Sequence, residues 1–326
     1  DGFKIDEKIN NLSKTDLNSS MAKSSGILTT LLADCFESLN PDVILLLGDR
    51  FETHATATTA LLMNIPIAHI HGGEVTQGAV DEQLRHAITK MSYLHFCSTE
   101  VYRQRIIQMG EDSSRVINVG APGIDNIVNA DLLDKANLSK KLDWRLPKKY
   151  AIFTYHPTTL EDSDLKRDLD SIFDTFLKSD IGVLFTYANA DFGGKTINNS
   201  IEDFCKLDTN KYKVVKSLGQ LRYLSAMKHA NLLIGNTSSG IIEAASFYKP
   251  VVNIGNRQLG RLRGINVIDC TIQELYQSIT LALSNDFIIK CQNQQNIYGV
   301  GNASKHIVQK LIKQPLSVVK KFIDIK

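Results

Sequence analysis

The chain has 326 residues, of which 43% are hydrophobic and 22% charged, values typical of a globular protein with enough apolar material for two cores. Its 37 basic residues nearly balance its 35 acidic residues, so no general positive field is present to attract nucleic acid or an anionic membrane. We therefore predict a two-domain protein with neither a nucleic-acid nor a membrane partner.

The cysteine pattern and the hydropathy pattern indicate a cytoplasmic location. Five cysteines are scattered without a CxxC motif, as expected of reduced thiols, and no apolar stretch reaches the length of a membrane span. No basic segment followed by an apolar one marks a signal peptide. The chain starts at Asp1, and its polar first segment, Asp1–Ser24, is typical of a loop, so we expect the native protein to begin earlier.

The first half of the chain alternates short apolar runs with segments of helical composition. The apolar runs predict buried parallel strands at Val43–Leu47, Ile65–Ile70, Tyr93–Cys97 and Val116–Val119. Helices are predicted at Phe51–Met63 and Tyr102–Met109. The charged stretch 129–149, which contains Pro147, resembles a linker. We therefore assign residues 1–145 to a first Rossmann-like domain.

The second half repeats this alternation. Strands are predicted at Tyr150–Tyr155, Ile181–Tyr187, Lys213–Val215, Asn231–Ile234, Val251–Ile254 and Val267–Ile268. Helices are predicted at Leu165–Leu177, Gln220–His229, Asn302–Lys313 and Ser317–Lys326. We predict a second doubly wound domain over residues 146–310, and a C-terminal helix over 311–326 that packs back on the first domain. Right-handed crossovers would direct the strand ends of both domains towards a shared cleft.

The densest polar cluster of the chain follows the first two predicted strands. It consists of Gly48–Glu52, Ala68–Glu74 and Asp81–His86. In an open α/β sheet the loops at the carboxyl ends of the strands line the ligand crevice. Carboxylates, imidazoles and arginines that converge there suit proton transfer beside a bound anion. The candidate catalytic residues are Asp49, His71, Glu74, Asp81 and Arg85.

A metal site is the alternative interpretation of this cluster. If His69 and His71 lie on one strand, the period of two directs both side chains to the same face, where Asp49 is near enough to complete a zinc site. We favour the proton-transfer interpretation and expect neither a metal nor any other cofactor.

A second motif predicts a nucleotide site in the second domain. A strand ending at Gly235 leads into small hydroxylated residues and then a helix, an arrangement that offers backbone amides to a phosphate. In this interpretation Glu243 accepts hydrogen bonds from a ribose diol and Arg257 clamps the diphosphate. The alternative is that Ser238 and Ser239 only cap the helix. The candidate residues for this nucleotide are Ser238, Ser239, Gly240, Glu243 and Arg257.

Two further residues follow strands of the second domain. His156 comes directly after Tyr150–Tyr155 and precedes Pro157, and Asn189 follows Ile181–Tyr187. A histidine at such a position can donate to a phosphate oxygen. We include both residues in the predicted nucleotide site, although a histidine at a strand end more often serves as a surface or capping residue.

Taken together, the motifs closely resemble the UDP-N-acetylglucosamine 2-epimerase family, in its hydrolysing branch. The resemblance rests on GDRFE, AHIHGGEVTQGAVDEQLRHAITK, HP, IGNTSSGIIEAA, NIGNRQLGR and YGVGNAS, and it covers nearly the whole chain. It implies two Rossmann-like domains facing a cleft, as in glycosyltransferases of the B type, and a homodimer or homotetramer. It also implies an N-terminal strand and helix with a Gly-Thr-Arg motif, which this sequence lacks.

The resemblance implies conversion of UDP-N-acetylglucosamine to N-acetylmannosamine and UDP, for the synthesis of sialic acid or a related nonulosonic acid. Because the C2 proton is not acidic, it must leave as the bond from C1 to the UDP oxygen breaks, which gives a glycal that then adds water. Asp49 and Asp81 would be the acid–base pair oriented by Arg85, while the second domain stabilises the departing UDP.

His71 stands where many hydrolysing members have glutamate. Either its imidazole, with an ordinary pKa near 6.5, takes over proton transfer, or Glu74 supplies the carboxylate. Relatives with the HIHGGE form resemble enzymes of legionaminic acid synthesis, whose substrate is a UDP-linked 2,4-diacetamido-2,4,6-trideoxyhexose or GDP-N-acetylglucosamine. A glycosyltransferase of the same fold and a nucleotide-sugar-binding protein without catalysis are the remaining alternatives.

Overall fold

The computed structural model describes residues 4–10, 19–76, 80–156, 165–188 and 194–324. The chain folds into two compact units. Unit 1 combines Asp1–Pro122 with Asn302–Lys326, and unit 2 comprises Gly123–Gly301. No helix among the described residues is both long enough and apolar enough to cross a bilayer.

All ten predicted strands are present, with ends that differ by a few residues from those expected. In chain order they are β1 (Ile44–Leu47), β2 (Ile67–Ile70), β3 (Leu94–Cys97), β4 (Val116–Asn118), β5 (Tyr150–Thr154), β6 (Gly182–Thr186), β7 (Tyr212–Val215), β8 (Leu232–Gly235), β9 (Val251–Ile254) and β10 (Val267–Cys270). Every pairing between them in the described residues is parallel.

Helices separate the strands along the chain. In chain order they are α1 (Ser19–Leu39), α2 (Phe51–Leu62), α3 (Asp81–Met91), α4 (Glu100–Gln108), α5 (Pro122–Asn129), α6 (Lys135–Leu142), α7 (Leu165–Lys178), α8 (Gly194–Cys205), α9 (Gly219–His229), α10 (Ser238–Ile242), α11 (Leu275–Ala282), α12 (Asn285–Gln292) and α13 (Ala303–Lys313). Short 3-10 helices span Ser113–Arg115 and Ala244–Phe247.

The sheet of unit 1 has four strands in the order β1-β2-β3-β4. One group of buried apolar side chains joins α1 to α2 and β1, with Phe36 and Leu46 among its members. A second group joins Phe96 of β3 to Ile307 of α13. Because α13 buries its apolar face here, the C-terminal segment completes the core of unit 1.

The sheet of unit 2 has six strands in the order β10-β9-β8-β5-β6-β7. The chain winds from β5 through β6 to β7 on one side and then continues with β8 on the other side of β5. The carboxyl ends of β5 and β8 therefore form the topological switch point, where open α/β sheets bind ligands. Phe153 of β5 packs edge-on against Phe176 and Phe185 and anchors the core beneath this point. Both units are Rossmann-like, so the predicted fold class is confirmed.

Several sequence-based boundaries differ from the structure. The division into units lies at Pro122 and Gly301 rather than at residues 145 and 310. The predicted linker contains α6, whose Leu138 and Leu142 are buried with Trp144 in the core of unit 2. Charged residues on the exposed face of this amphipathic helix made the segment resemble a linker.

The predicted terminal helix over 317–326 was wrong for the residues that the structure describes there. The chain leaves α13 after Lys313 and follows a non-helical path to Asp324. Tertiary contacts hold this path: the Ile323 backbone N–H donates to the Gly110 carbonyl oxygen, and Lys320 Nζ donates to Glu111 Oε1 at 2.8 Å. Ser19–Ser24, predicted as loop, belongs instead to α1.

Candidate functional site

Two neighbouring strands of unit 1 bring the predicted acid–base residues to one edge of the sheet. Leu47 and Ile70 are register partners at the ends of β1 and β2. Gly48 and His71 follow with φ angles of 84° and 65°, a left-handed backbone that turns the chain out of each strand. Asp49 therefore leaves the sheet beside His71.

Arg85 of α3 connects these two loops. Its side chain is 2% exposed, and Nη2 donates to Asp49 Oδ2 and to Thr76 Oγ1, the latter at 3.0 Å. Nη1 donates to the His71 carbonyl oxygen at 2.8 Å. A guanidinium fixes several acceptors at once because its N–H groups lie in one rigid plane. The structure thus brings Arg85 and Asp49 together as predicted, and it adds Thr76, which the sequence did not indicate.

Glu74 lies behind His71 and contacts its ring. His71 Nδ1 is 2.6 Å from Glu74 Oε1, and the Ser98 hydroxyl donates to the same oxygen at 2.9 Å. Glu74 and Ser98 are each 2% exposed, whereas the His71 side chain is 18% exposed. Glu74 is therefore placed to orient the imidazole. Ser98 was missed from the sequence, although it directly follows β3 as the candidate residues follow β1 and β2.

Asp81 begins α3 and is partly buried. Burial raises the pKa of its carboxyl above the ordinary 3.8, and the nearby negative charge of Asp49 raises it further. Arg50 and Arg85 act in the opposite direction without cancelling the shift. A carboxyl with a raised pKa is a stronger base than an ordinary aspartate, as proton abstraction requires.

His69 does not share the orientation of His71, so the strand geometry behind the zinc alternative was wrong. β2 ends at Ile70, and the fully buried His69 ring binds the Gly48 carbonyl oxygen through Nε2 at 2.8 Å. Burial lowers the pKa of His69 to about 3, which keeps the ring neutral. Among the described residues no three His, Cys, Asp and Glu side chains are grouped to hold a metal ion.

Unit 2 contains a cavity of about 450 Å³ at the carboxyl ends of its central strands. Its lining combines hydroxyl groups, a carboxylate and a lysine, and includes Thr154, His156, Tyr187, Lys216, Tyr223 and Glu243. The cavity lies at the topological switch point between β5 and β8, where the sequence motif placed the nucleotide. His156 and Glu243 were predicted, whereas Thr154, Tyr187 and Tyr223 were not.

A hydrogen-bonded chain fixes the carboxylate in this cavity. The Tyr223 hydroxyl donates to Ser239 Oγ at 2.9 Å, and Ser239 donates to Glu243 Oε2. Burial raises the pKa of the Glu243 carboxyl. Ser239 thus positions Glu243 rather than capping α10, because the side chain of Thr237 is the one that accepts from the Ser239 backbone N–H.

Other predicted UDP residues are placed around this chain. Ser238 is the first residue of α10, which is only five residues long. A Cβ on Gly240 would lie 3.1 Å from the Val251 side chain, so this glycine allows α10 to pack closely on β9. Asn189 lies outside the described residues.

Asn236 ties the loops of the switch point together. Its Oδ1 accepts from the His156 backbone N–H at 2.7 Å, and its Nδ2 donates to the His156 carbonyl oxygen at 2.8 Å. Arg257 Nη1 and Gln258 Nε2 both donate to the Asn236 carbonyl oxygen. His156 and Arg257, which are 101 positions apart in the chain, are therefore held against one buried asparagine that the sequence did not single out.

The family model for UDP-N-acetylglucosamine 2-epimerase matches residues 1–312. The chain belongs to the UDP-N-acetylglucosamine 2-epimerase family. Among the relatives of this epimerase is a Campylobacter jejuni protein named GDP/UDP-N,N′-diacetylbacillosamine 2-epimerase (hydrolyzing). It is 41% identical over 288 residues, which cover 87% of this chain and 74% of the relative.

A Legionella pneumophila protein named UDP-N,N′-diacetylbacillosamine 2-epimerase (hydrolyzing) is 37% identical, with 92% of this chain and 78% of that relative covered. These matches support the hydrolysing branch for this epimerase. The crystal structure of UDP-GlcNAc 2-epimerase from Neisseria meningitidis bound to UDP-GlcNAc superimposes with a TM-score of 0.77 at 20% identity, covering 92% of this chain and 84% of that one. This likeness supports the glycosyltransferase-B-type fold.

Proposed function

We propose that this epimerase releases UDP from a UDP-linked 2-acetamido sugar and frees the sugar with inverted configuration at C2. The observation that carries the proposal is the buried cluster in unit 1, where Arg85 holds Asp49 and Glu74 holds the His71 ring. Orienting contacts of this kind on acid–base side chains are typical of proton-transfer sites.

The first step is an elimination. A base removes the C2 proton, and the electron pair of the C2–H bond forms the C1=C2 double bond as the C1–O bond breaks. The electrons of that bond leave with UDP, and an unsaturated sugar remains. Developing charge on the diphosphate must be stabilised at the same time, usually the largest electrostatic contribution in such reactions.

The second step is a hydration. The hydroxyl of a water molecule adds to C1, and a proton is delivered to C2 on the face opposite to the one from which the first proton left. The sum is substrate plus water giving UDP plus the free C2 epimer. One complete turnover therefore needs three proton transfers: removal at C2, return at C2 and removal from water.

Asp49, Asp81 and His71 are the groups that we assign to these transfers. Asp81 is the proposed base at C2, since its raised pKa suits proton removal from carbon. His71 is the proposed donor on the opposite face, with Glu74 and Ser98 as positioning residues. Asp49, which Arg85 holds in place, is then the group that remains to remove a proton from water.

We assign nucleotide binding to the cavity of unit 2. The partly buried Glu243 carboxylate suits a ribose diol, because two hydroxyl donors can share its two oxygens. His156 and Arg257 are the proposed diphosphate ligands, supported by their shared anchorage on Asn236, and Ser238 adds a hydroxyl.

The favoured sugar is 2,4-diacetamido-2,4,6-trideoxyhexose. Relatives at 41% and 37% identity carry N,N′-diacetylbacillosamine in their names, whereas a Neisseria meningitidis protein named for UDP-N-acetylglucosamine is 29% identical. The expectation that UDP-N-acetylglucosamine is the main substrate therefore becomes the second candidate. Either product would feed the synthesis of a nonulosonic acid.

The test is to incubate the full-length protein with each UDP-sugar in deuterated water and to record proton NMR spectra. We expect UDP release together with a free epimer that carries deuterium at C2, and faster turnover of the diacetamido sugar. Transfer of the sugar to an acceptor without exchange at C2 would instead identify a glycosyltransferase. Tight UDP binding without either reaction would identify a binding protein.

A further inference from the structure

Two cavities of unit 2 share a wall made by Tyr187 and Lys216. The first is the 450 Å³ cavity assigned to the nucleotide, and the second, of about 680 Å³, lies against β7 and is also lined by Glu202. Tyr187 follows β6 directly, and Lys216 follows β7 directly. Both side chains therefore stand at the carboxyl edge of the sheet, the edge that carries Glu243 beyond β8.

Strand order sets the spacing of the strand ends that lie beneath this cavity. The order β8-β5-β6-β7 places two strand intervals between the ends of β8 and β6. Neighbouring strands lie about 4.8 Å apart, so these ends are separated by about 10 Å. Glu243, Tyr187 and Lys216 line the same cavity, so a base attached to a ribose at Glu243 can reach Tyr187 and Lys216.

The hydrogen-bonding character of the wall is defined by Glu202. The Tyr187 hydroxyl donates its proton to Glu202 Oε1, and this hydrogen bond raises the pKa of the phenol, which keeps the proton in place. Because its proton is used in the bond to Glu202, the Tyr187 oxygen can only accept a further hydrogen bond through a lone pair. Lys216 Nζ, 5.9 Å from the centre of the Tyr187 ring, has only donors to offer.

We propose that Tyr187 Oη accepts a hydrogen bond from the base of the nucleotide while Lys216 Nζ donates one to it. The cavity then selects the keto bases uracil and guanine over cytosine and adenine. This inference rests on the proposed function of the cavity. Uracil presents N3–H beside the O4 carbonyl, and guanine presents N1–H beside O6. Cytosine and adenine present a ring nitrogen acceptor beside an amino donor. Tyr187 Oη would then face another acceptor, and Lys216 Nζ would face another donor.

The second cavity gives room for the larger base. A purine reaches further from the ribose than a pyrimidine, so guanine needs the Tyr187 and Lys216 side chains to move outwards, and the 680 Å³ cavity on their far side leaves them room to do so. The name of the Campylobacter jejuni relative includes both GDP and UDP. This agrees with a single arrangement of one acceptor and one donor that binds both guanine and uracil.

Calorimetric titration of the full-length protein with UDP, GDP, CDP and ADP tests the selection. We expect UDP and GDP to bind about 10- to 100-fold more tightly than CDP and ADP, the range that a matched pair of base contacts provides. Equal affinity for all four, in protein that still exchanges the C2 proton, would overturn base reading and leave the proposed function intact. Binding of none would overturn the assignment of the cavity itself.

Variants separate the roles of the wall residues. Tyr187→Phe removes the acceptor and should lower UDP affinity about 10-fold towards that of CDP. Glu202→Gln frees the Tyr187 hydroxyl to donate, because an amide can also donate to it, so CDP affinity should rise as UDP affinity falls. Loosened packing alone would lower both, and that result would contradict the role of Glu202.

Lys216→Met should weaken UDP and GDP more than CDP and ADP. Lys228→Met is the matched control, because Lys228 is exposed on α9 and lines neither cavity. An equal loss for all four nucleotides in Lys216→Met would mean that Lys216 attracts the diphosphate and does not read the base.

Discussion

His71 Nδ1 and Glu74 Oε1 lie 2.6 Å apart, and the carboxylate is almost completely buried. This contact directs the other ring nitrogen, Nε2, away from Glu74 and leaves it as the atom for the proposed proton transfer. Sequence comparison left open whether His71 or Glu74 replaces the usual glutamate. The geometry favours a division of labour in which His71 exchanges the proton and Glu74 orients it, as a carboxylate orients the histidine of a catalytic triad.

Glu74→Gln should lower kcat about 100-fold or more with little change in KM, because the amide cannot stabilise a charged imidazole as the carboxylate does. Steady-state rates of UDP release measure both constants. Glu100→Gln, on the exposed face of α4, is the control and should leave kcat unchanged. If Glu74→Gln kept full kcat, the positioning role of Glu74 would be wrong.

The pH dependence of kcat should report Asp81. Because burial and Asp49 raise its pKa, the ionised base is lost at a higher pH than for an ordinary aspartate, so activity should fall as the pH drops through a value above 3.8. A ¹³C NMR titration of the Asp81 carboxyl checks this directly. In Asp49→Asn the pKa of Asp81 should fall, since the negative charge of Asp49, one of the causes that raise it, is gone. An unchanged pKa of Asp81 would mean that Asp49 exerts no charge effect on it.

Gly48 and Gly73 form a matched pair for backbone strain, because both have φ angles in the left-handed region. At Gly48 a Cβ would meet no heavy atom of the described residues within 4 Å, so Gly48→Ala should cost only about 1–2 kcal/mol of unfolding free energy. At Gly73 a Cβ would collide with the carbonyl oxygen of Tyr102 and lie 2.9 Å from Ile106 Cγ1.

Gly73→Ala should therefore cost about 3 kcal/mol or more, since overpacking adds to the strain. It should also displace the adjacent Glu74 and lower kcat. Urea unfolding compares the two variants, and equal destabilisation would show that the left-handed backbone alone sets the cost.

The fold of unit 1 should lose stability in acid through Glu111. Burial alone would raise its pKa, but hydrogen bonds from His95, Lys320 and Lys90 outweigh that effect and lower the pKa to about 2. A group with a lowered pKa stabilises the fold above its unfolded-state pKa, and this contribution disappears as the pH falls from about 4.5 to about 2.

By linkage, a shift of this size corresponds to roughly 3 kcal/mol of unfolding free energy at neutral pH, which is the contribution that we expect from Glu111. Unfolding by urea across this pH range should show a smaller loss in Glu111→Gln, which is already destabilised at pH 7. Equal pH slopes for the variant and the parent would contradict the assignment.

Much of the architecture was predictable because it follows from local patterns. Runs such as Val251–Ile254 are apolar almost without interruption, which is the mark of strands buried on both faces. The edge location of Asp49 and His71 followed from the same patterns, since parallel strands end at a common edge. The terminal segment around Lys320 was mispredicted because contacts with Glu111 and Gly110, 209 or more positions away, override its helical composition.

The sequence by itself determined the family, the two Rossmann-like units and the list of titratable groups, because periodicity and motif order are properties of the chain alone. Only the tertiary structure decided which neighbours surround each titratable side chain. It places Ser98 and Glu74 behind His71 and buries His69 in its neutral form. It also makes Glu202 the acceptor of the Tyr187 proton. The physical reason is that hydrogen bonds and burial depend on distances between residues far apart in the chain. Those distances set both the pKa and the donor or acceptor role of each side chain.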